Sequence, residues 1–230
     1  MSKRMAEALK KVEKDKLYKV SEAIELLKQV KKTKFDESVE LHVKLGIDPK
    51  QSTQIVRNSC VLPWGTGKMK KVCILAKGEK IKEAEESGAD FFGSEELVEK
   101  IAKGWLEFDV LIATPDMMKD IAKLGKVLGP KGLMPSPKAG TVTNDLKKTV
   151  EEIKKGRVEF RNDDFGIVHC IVGKVSFDTP KLEENIKVLM ETIIKSKPPQ
   201  AKGNYIKSIY LTTTMGPSVK IDPAEFLKKK

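Results

Sequence analysis

Between residues 39 and 45 every second position is apolar: Val39, Leu41, Val43 and Leu45 alternate with Glu40, His42 and Lys44. Successive side chains of a strand point to opposite faces, so this run predicts a strand with one buried and one solvated face. His42 falls on the solvated side, as a surface histidine. Ahead of it, Ala23, Ile24, Leu27 and Val30 recur at helical spacing behind Ser21. That predicts an amphipathic helix capped by Ser21 and running to about residue 31. Residues 1–20 are charged with sparse apolar positions and read as a short helix or arm. Gly46-Ile47-Asp48-Pro49 ends the strand, and a second apolar stretch, Cys60-Val61-Leu62, runs into Pro63-Trp64-Gly65-Thr66-Gly67-Lys68.

From residue 70 the pattern is of another kind. Val72-Cys73-Ile74-Leu75-Ala76, Ala89-Asp90-Phe91-Phe92 and Val110-Leu111-Ile112-Ala113 are short apolar runs. Between and after them come charged helical stretches. One reaches Glu86, one carries Leu97, Val98 and Ile101 behind a capping Ser94, and one opens at Thr114-Pro115 with Met117, Met118, Ile121 and Leu124. Strands alternating with helices predict a parallel sheet with helices on its faces. Residues 125–143 hold four glycines and three prolines, which exclude an ordinary helix or central strand. Val127, Leu128, Leu133 and Met134 argue against a solvated linker, so the stretch is read as an ordered loop, either connecting or functional. Asn144 or Asp145 then caps a helix with Leu146, Val150 and Ile153, closed at Lys155-Gly156.

The two-residue rhythm returns at Arg157-Val158-Glu159-Phe160-Arg161, with both arginines and Glu159 on one face. Asn162 to Gly166 is turn chemistry, and 167–175 reads as the return strand. Thr179-Pro180 starts a helix with Leu182, Ile186, Leu189, Met190 and Ile193, stopped by Pro198-Pro199. The last predicted strand spans 205–214, and Lys228 to Lys230 read as a solvated tail. Ser208, Tyr210, Thr212 and Thr214 share one face of that last strand. The row offers hydroxyls that can donate and accept, or it reflects only the preference of threonine for strands.

Charge narrows the partner. The chain carries a net +11, almost all of the basic side chains being lysine, which suits a polyanion and a diffuse attraction to phosphate. There are 14 basic and 9 acidic residues in 1–66 and 12 and 9 in 158–230, a net +8; 67–157 holds 18 and 15, a net +3. Aromatic residues make up only 6%, so extended base stacking is not the leading mode of binding. No run of about 18 apolar residues exists, and the basic N-terminus lacks an apolar segment behind it, so neither a membrane span nor a signal peptide is expected. The expected location is the cytoplasm. Cys60, Cys73 and Cys170 are odd in number and widely spaced, and with His42 and His169 the only histidines no metal site is expected. Gly65-Thr66-Gly67-Lys68 fails as a nucleotide phosphate loop, because Leu62 stands at its first glycine and Met69 at its Ser/Thr. No cofactor, small-molecule substrate or enzymatic activity is expected.

The run Leu128-Gly129-Pro130-Lys131-Gly132-Leu133-Met134-Pro135, followed by Gly140-Thr141-Val142, resembles the hallmark of the L-one family of large-subunit ribosomal proteins. Further matches come in the family's order: Lys34-Phe35, Gly46-Ile47-Asp48, Gly65-Thr66-Gly67-Lys68, Arg161-Asn162-Asp163, Gly173-Lys174 and Thr212-Thr213-Thr214-Met215-Gly216-Pro217. The resemblance implies an α+β, split β-α-β-type RNA-binding domain made discontinuously from 1–66 and 158–230. Into it an α/β, Rossmann-like domain with a parallel sheet, residues 67–157, would be inserted. It implies rRNA binding through Lys34, Phe35, Ser38, Arg161, Asp163, His169, Ser208, Thr214, Met215 and Gly216. Met215-Gly216 would let backbone approach a ribose, and Asp163 would accept from a 2′-hydroxyl or orient a base.

The implied partners are large-subunit rRNA within the large ribosomal subunit, at its mobile side stalk, and the exit-site tRNA whose release the stalk assists. The protein's own messenger is a further implied partner, with repression of its translation. A free RNA-binding translational regulator is the alternative, ahead of a nucleotide-using enzyme of the α/β domain. Two residues depart from the family pattern: Trp64 where histidine is common and Asp164 where lysine is common, the second removing a positive charge from the expected footprint. Gly65, Gly67 and Gly156 stand at the two chain crossings and are the expected hinge, with Trp64 as a local latch. Proline at Gly65 or Gly67 is expected to restrict the hinge with each domain still folded.

Overall fold

In the computed structural model, which describes residues 3–13 and 16–226, the chain is a mixed α/β protein with one parallel three-stranded sheet and two further sheets, the larger antiparallel. The lysines at 228–230 lie outside the described residues. In chain order the elements are α1 (Lys3–Lys10), α2 (Val20–Val30), β1 (Ser38–Leu45), β2 (Arg57–Val61) and β3 (Val72–Leu75). Next come α3 (Lys80–Glu86), β4 (Phe91–Gly93), α4 (Glu95–Ala102), β5 (Val110–Ala113), α5 (Met118–Ala122), α6 (Gly125–Leu128) and α7 (Leu146–Lys155). Last are β6 (Arg157–Arg161), β7 (Ile167–Lys174), α8 (Thr179–Lys195), β8 (Ile206–Thr213) and β9 (Val219–Ile221). The chain divides into two compact units, Met1–Gly67 with Val158–Lys230, and Lys68–Arg157.

The first unit is built on an antiparallel sheet in the order β7-β1-β8-β9. The alternation in β1 sends Val39, Leu41, Val43 and Leu45 into one core with Ala23, Ile24 and Leu27 of α2 and with Leu182, Ile186, Leu189 and Ile193 of α8. Both helices therefore lie on the same face of the sheet. At about 25 cal/mol per Å² of apolar surface buried, that shared core is the main stabilising contribution in the unit. β2 and β6 form a separate two-stranded sheet.

Several local expectations are corrected by long-range contacts. Ser21 does not cap α2; the helix starts a residue earlier, and the Val20 N–H donates to the Glu225 carboxylate at 3.1 Å, so a carboxylate far along the chain does the capping. The hydroxyl of Ser94 likewise makes no cap bond, although its carbonyl accepts from Leu97 and Val98. Asp145 occupies the N-cap position of α7 without a side-chain cap; it is the Thr143 hydroxyl that accepts from the Asp145 N–H, at 3.1 Å. β7 is not the return partner of β6. Beyond a single bridge, Asn162 to Val168, it leaves for the other sheet and pairs along β1, where its own alternation can bury Val168, Cys170 and Val172. β8 is not the last strand, since β9 adds the sheet's edge.

In the second unit β3 is the central strand, flanked in parallel by β4 and β5. Its unbroken apolar run serves two cores. Cys73 and Leu75 face Ile101, Met117, Ile121 and Leu128, while Val72 and Ile74 face Ala84, Leu146, Val150 and Ile153. The Gly/Pro stretch is an ordered part of this unit. It begins with the single turn α6, contrary to the expectation of no helix, because Leu128 is fully buried and anchors it. Arg157 donates to the Ala139 carbonyl at 2.7 Å and to Glu152 at 3.0 Å, holding the far end of the stretch in place.

At the first chain crossing, Asn185 of α8 is fully buried and makes three bonds. It accepts from the Trp64 N–H at 3.1 Å and donates to the carbonyls of Gly65, 3.0 Å, and Val172, 2.8 Å. The Trp64 indole donates to Glu184 at 2.7 Å and lies under the Lys181 ammonium, so its partners are residues of α8. Gly65 and Gly67 have φ of 64° and 70°. Proline, with φ held near −65°, cannot take either place without rebuilding the turn. A Cβ at Gly67 would also stand 2.7 Å from Lys174. The expectation that proline there leaves the unit intact is therefore withdrawn.

Candidate nucleic-acid interface

With α2 and α8 on one face of the antiparallel sheet, the other face is left open. Register turns its outward side chains into rows across the strands. His169, His42, Tyr210 and Lys220 form the central row. Ile171, Glu40 and Thr212 lie toward one end, and Ile167, Lys44 and Ser208 toward the other. Among the described residues, none hydrogen-bonds the hydroxyls of Ser208 and Tyr210. They remain open to a partner from outside.

At one end of the face the loop before β1 meets the loop after β8. Thr214 N–H donates to the Ser38 carbonyl at 3.1 Å, and the Ser38 N–H donates back to the Thr214 hydroxyl at 3.0 Å. Lys174 donates to the Ser38 hydroxyl at 3.0 Å. Arg4 of α1 reaches the Met215 carbonyl at 3.3 Å. Phe35 and Met215 are left about half exposed beside these contacts, and Lys34 is exposed. This end therefore presents an apolar ring, a thioether and an ammonium next to a fixed backbone turn. The reason for glycine at 216 differs from the expected one: a Cβ there would stand 2.3 Å from the Thr213 hydroxyl. The missing side chain makes room for the protein's own turn.

Glu37, whose importance the alternation did not reveal, is 1% exposed and sits beneath that turn. It accepts from the Thr33 hydroxyl and, at 3.1 Å, from the Met215 N–H. Burial pushes its carboxyl upward, but the Thr213 and Thr33 hydroxyls, the Met215 N–H and Arg4 outweigh it and hold it below the ordinary 4.5. A depressed carboxylate contributes stability that is present above its unfolded value and lost as pH falls through the folded one. Glu37→Gln should therefore cost about 2 kcal/mol at pH 7, the scale of hydrogen bonds to a charged group. Urea denaturation should show that difference shrinking as the pH falls below 4.5, where the wild-type carboxylate also takes up its proton.

At the other end, Asp163 organises the turn between β6 and β7. Its Oδ1 accepts from the N–H groups of Ile167 at 2.7 Å and Phe165 at 2.9 Å, and its Oδ2 faces His169 Nε2 at 3.4 Å. Partial burial raises its carboxyl, but the Ile167 N–H, His169 and the Phe165 N–H together hold it below its usual range. The expected role as an acceptor for a 2′-hydroxyl is thus narrowed, since one oxygen is fully engaged inside the protein. Arg161 is exposed at the end of β6, in the two-stranded sheet, two residues before Asp163. The same narrowing applies to the hydroxyl row. Thr214 is engaged with Ser38, and Thr212 lies within reach of the Thr213, Gly216 and Pro217 carbonyls, so Ser208 and Tyr210 are the open members.

Of the residues singled out in the sequence, Lys34, Phe35, Ser38, Thr214, Met215 and Gly216 come together at one end of the sheet. His169 is central, and Ser208 and Asp163 are at the other end. Arg161 alone belongs to a different sheet. Glu37, Glu40, Lys44 and Lys220 also line or support this face. Glu40 and Lys44 were legible as outward positions of the alternating strand, whereas Lys220 depends on the pairing of β9. Among the described residues there is no group of three or more potential metal ligands, and no helix is long and apolar enough to cross a membrane. The family model described as the ribosomal protein L1p/L10e family matches residues 27–217, a span that includes every residue named for the interface except Arg4 and Lys220.

Proposed function

Because the chain belongs to the ribosomal protein L1p/L10e family, we propose that it is a structural constituent of the large ribosomal subunit that holds rRNA of the side stalk on the open sheet face of its first unit. The observation that carries this reading is the gathering, on and around one solvated face, of residues recruited from the loop before β1, from β7 and from the end of β8. A-form RNA is recognised through phosphates, 2′-hydroxyls and unstacked bases rather than through its deep groove. The face supplies matching groups: Lys34 and Lys44 for phosphate, the hydroxyls of Ser208 and Tyr210 for ribose, and Phe35 and Met215 for an apolar contact with sugar or base. Arg161 and Asp163 would frame the far side, His169 would stand at the centre, and the main chain at Thr214-Met215-Gly216 would line the near side.

Three finer roles complete the reading. The protein assists release of deacylated tRNA from the exit site, and it represses translation of its own messenger where that messenger offers a similar RNA surface. Gly65, Gly67 and Gly156 act as the hinge, supported by the chain passing between the two units at these glycine-bearing points. We place the protein in the cytoplasm with the ribosome and assign it no enzymatic activity.

The test of RNA binding is its response to salt. With Lys34 and Lys44 facing phosphate, log K should fall with log salt concentration at a slope of about −2. Titrating labelled side-stalk rRNA at several salt concentrations measures it. A slope near zero would remove the phosphate contacts from the reading.

A further inference from the structure

The two histidines of the chain lie opposite each other on β1 and β7, and their Nδ1 atoms are 2.8 Å apart. The ring centroids are 5.0 Å apart at 64°. The outer nitrogens face carboxylates: His169 Nε2 is 3.4 Å from Asp163, and His42 Nε2 is 3.8 Å from Glu40. A 2.8 Å contact between two ring nitrogens requires one N–H and one lone pair. With both outer nitrogens turned toward carboxylates, the four nitrogens therefore accommodate three hydrogens. A fourth would set two N–H groups against each other and open the pair.

The rings are not equivalent. The His42 side chain is 25% exposed and that of His169 is 51% exposed. The first is enclosed in the sheet face, and the second stands at its surface. From this geometry we infer that His42 is a positioning residue for RNA binding, holding the His169 ring in one orientation through the shared Nδ1 hydrogen bond. The inference rests on the function proposed above and adds a residue to its machinery.

A consequence is dependence on pH. Burial of His42, with the charge of His169 beside it, lowers its pKa below 6.5, opposed by Glu40. Lys44 on the same strand, Asp163 in the turn, and Tyr210 and Lys220 across β8 and β9 are the other titratable groups facing the pair. Above the lowered value His42 retains the lone pair that the contact needs. As pH falls through it, the lone pair is lost and His169 is released.

The experiment measures binding of the full chain to labelled side-stalk rRNA. At pH 7.5, His42→Ala should bind about 5-fold more weakly, the scale of one lost hydrogen bond. His42→Asn, whose amide oxygen can accept the same bond without titrating, should stay within about twofold. Between pH 7.5 and 5.5 the wild type should lose about threefold in affinity relative to His42→Asn. This ratio cancels the titration of the RNA and of groups not coupled to His42. In a His169→Ala background, His42→Ala should have no further effect.

Wild-type affinity in His42→Ala would overturn the inference, as would an undiminished His42→Ala effect once His169 is gone. So would a wild-type to His42→Asn ratio that is flat or rises in acid, the latter showing that added charge matters rather than orientation. Each of these leaves the proposed function standing if the wild type binds. Failure of the wild type itself to bind would instead sink that function.

Discussion

Replacing Asn185 with alanine should lower the stability of the first unit by about 2 kcal/mol, because the buried Val172 carbonyl and the part-buried Trp64 N–H and Gly65 carbonyl all lose their partner. The side chain is fully buried, and its amide joins three pieces of chain that nothing local would bring together: α8, the crossing at Trp64 and Gly65, and β7. Asn185→Leu keeps most of the volume but none of the bonds, so it should recover little. Asn185→Asp should be the worst of the three, because its carboxylate would face two carbonyl oxygens with no hydrogen to offer. Urea denaturation followed by circular dichroism checks the order, since a change in midpoint at constant slope reads directly as stability. An Asn185→Leu protein as stable as the wild type would mean that packing, not the polar bonds, holds the crossing to the sheet.

Which face of a strand is buried was legible in the sequence, and which strand lies beside it was not. The alternation at 39–45 placed Glu40, His42 and Lys44 outward, because side-chain direction follows from period two alone. That His42 meets His169 depends on register across strands 127 residues apart, which no local pattern carries. The helix 20–30 is visible in its apolar stripe, but its cap is not, because the distant Glu225 rather than the adjacent Ser21 does that work. The run 72–75 is legible as a buried parallel strand, since both faces of β3 are covered by helices. In 205–214 the period showed the hydroxyls sharing a face. Which hydroxyls are already engaged depends on Ser38 and on the turn after β8, and only three-dimensional structure reveals that. Nothing in the local pattern marks Glu37. It is buried because the turn at 213–215 closes over it.

Placing glutamate at Ser208 and Tyr210 together should weaken rRNA binding by about 100-fold, or roughly 2.7 kcal/mol, the scale of like charges forced together at an interface. Both positions lie on the open face of β8, one opposite Lys44 and the other in the row of His42 and Lys220. Their outward orientation keeps the apolar core of the sheet intact, so the far-ultraviolet spectrum should not change. A control of equal charge carries Ala102→Glu and Ala122→Glu, two exposed positions of the second unit, and separates a local effect from a loss of net positive charge. The deciding measurement is the Kd of the wild type and both double variants for side-stalk rRNA at one fixed salt concentration. The account predicts a loss of about 100-fold for the sheet-face variant and less than about 5-fold for the control. Equal affinities for the two variants would contradict the assignment of rRNA binding to this face.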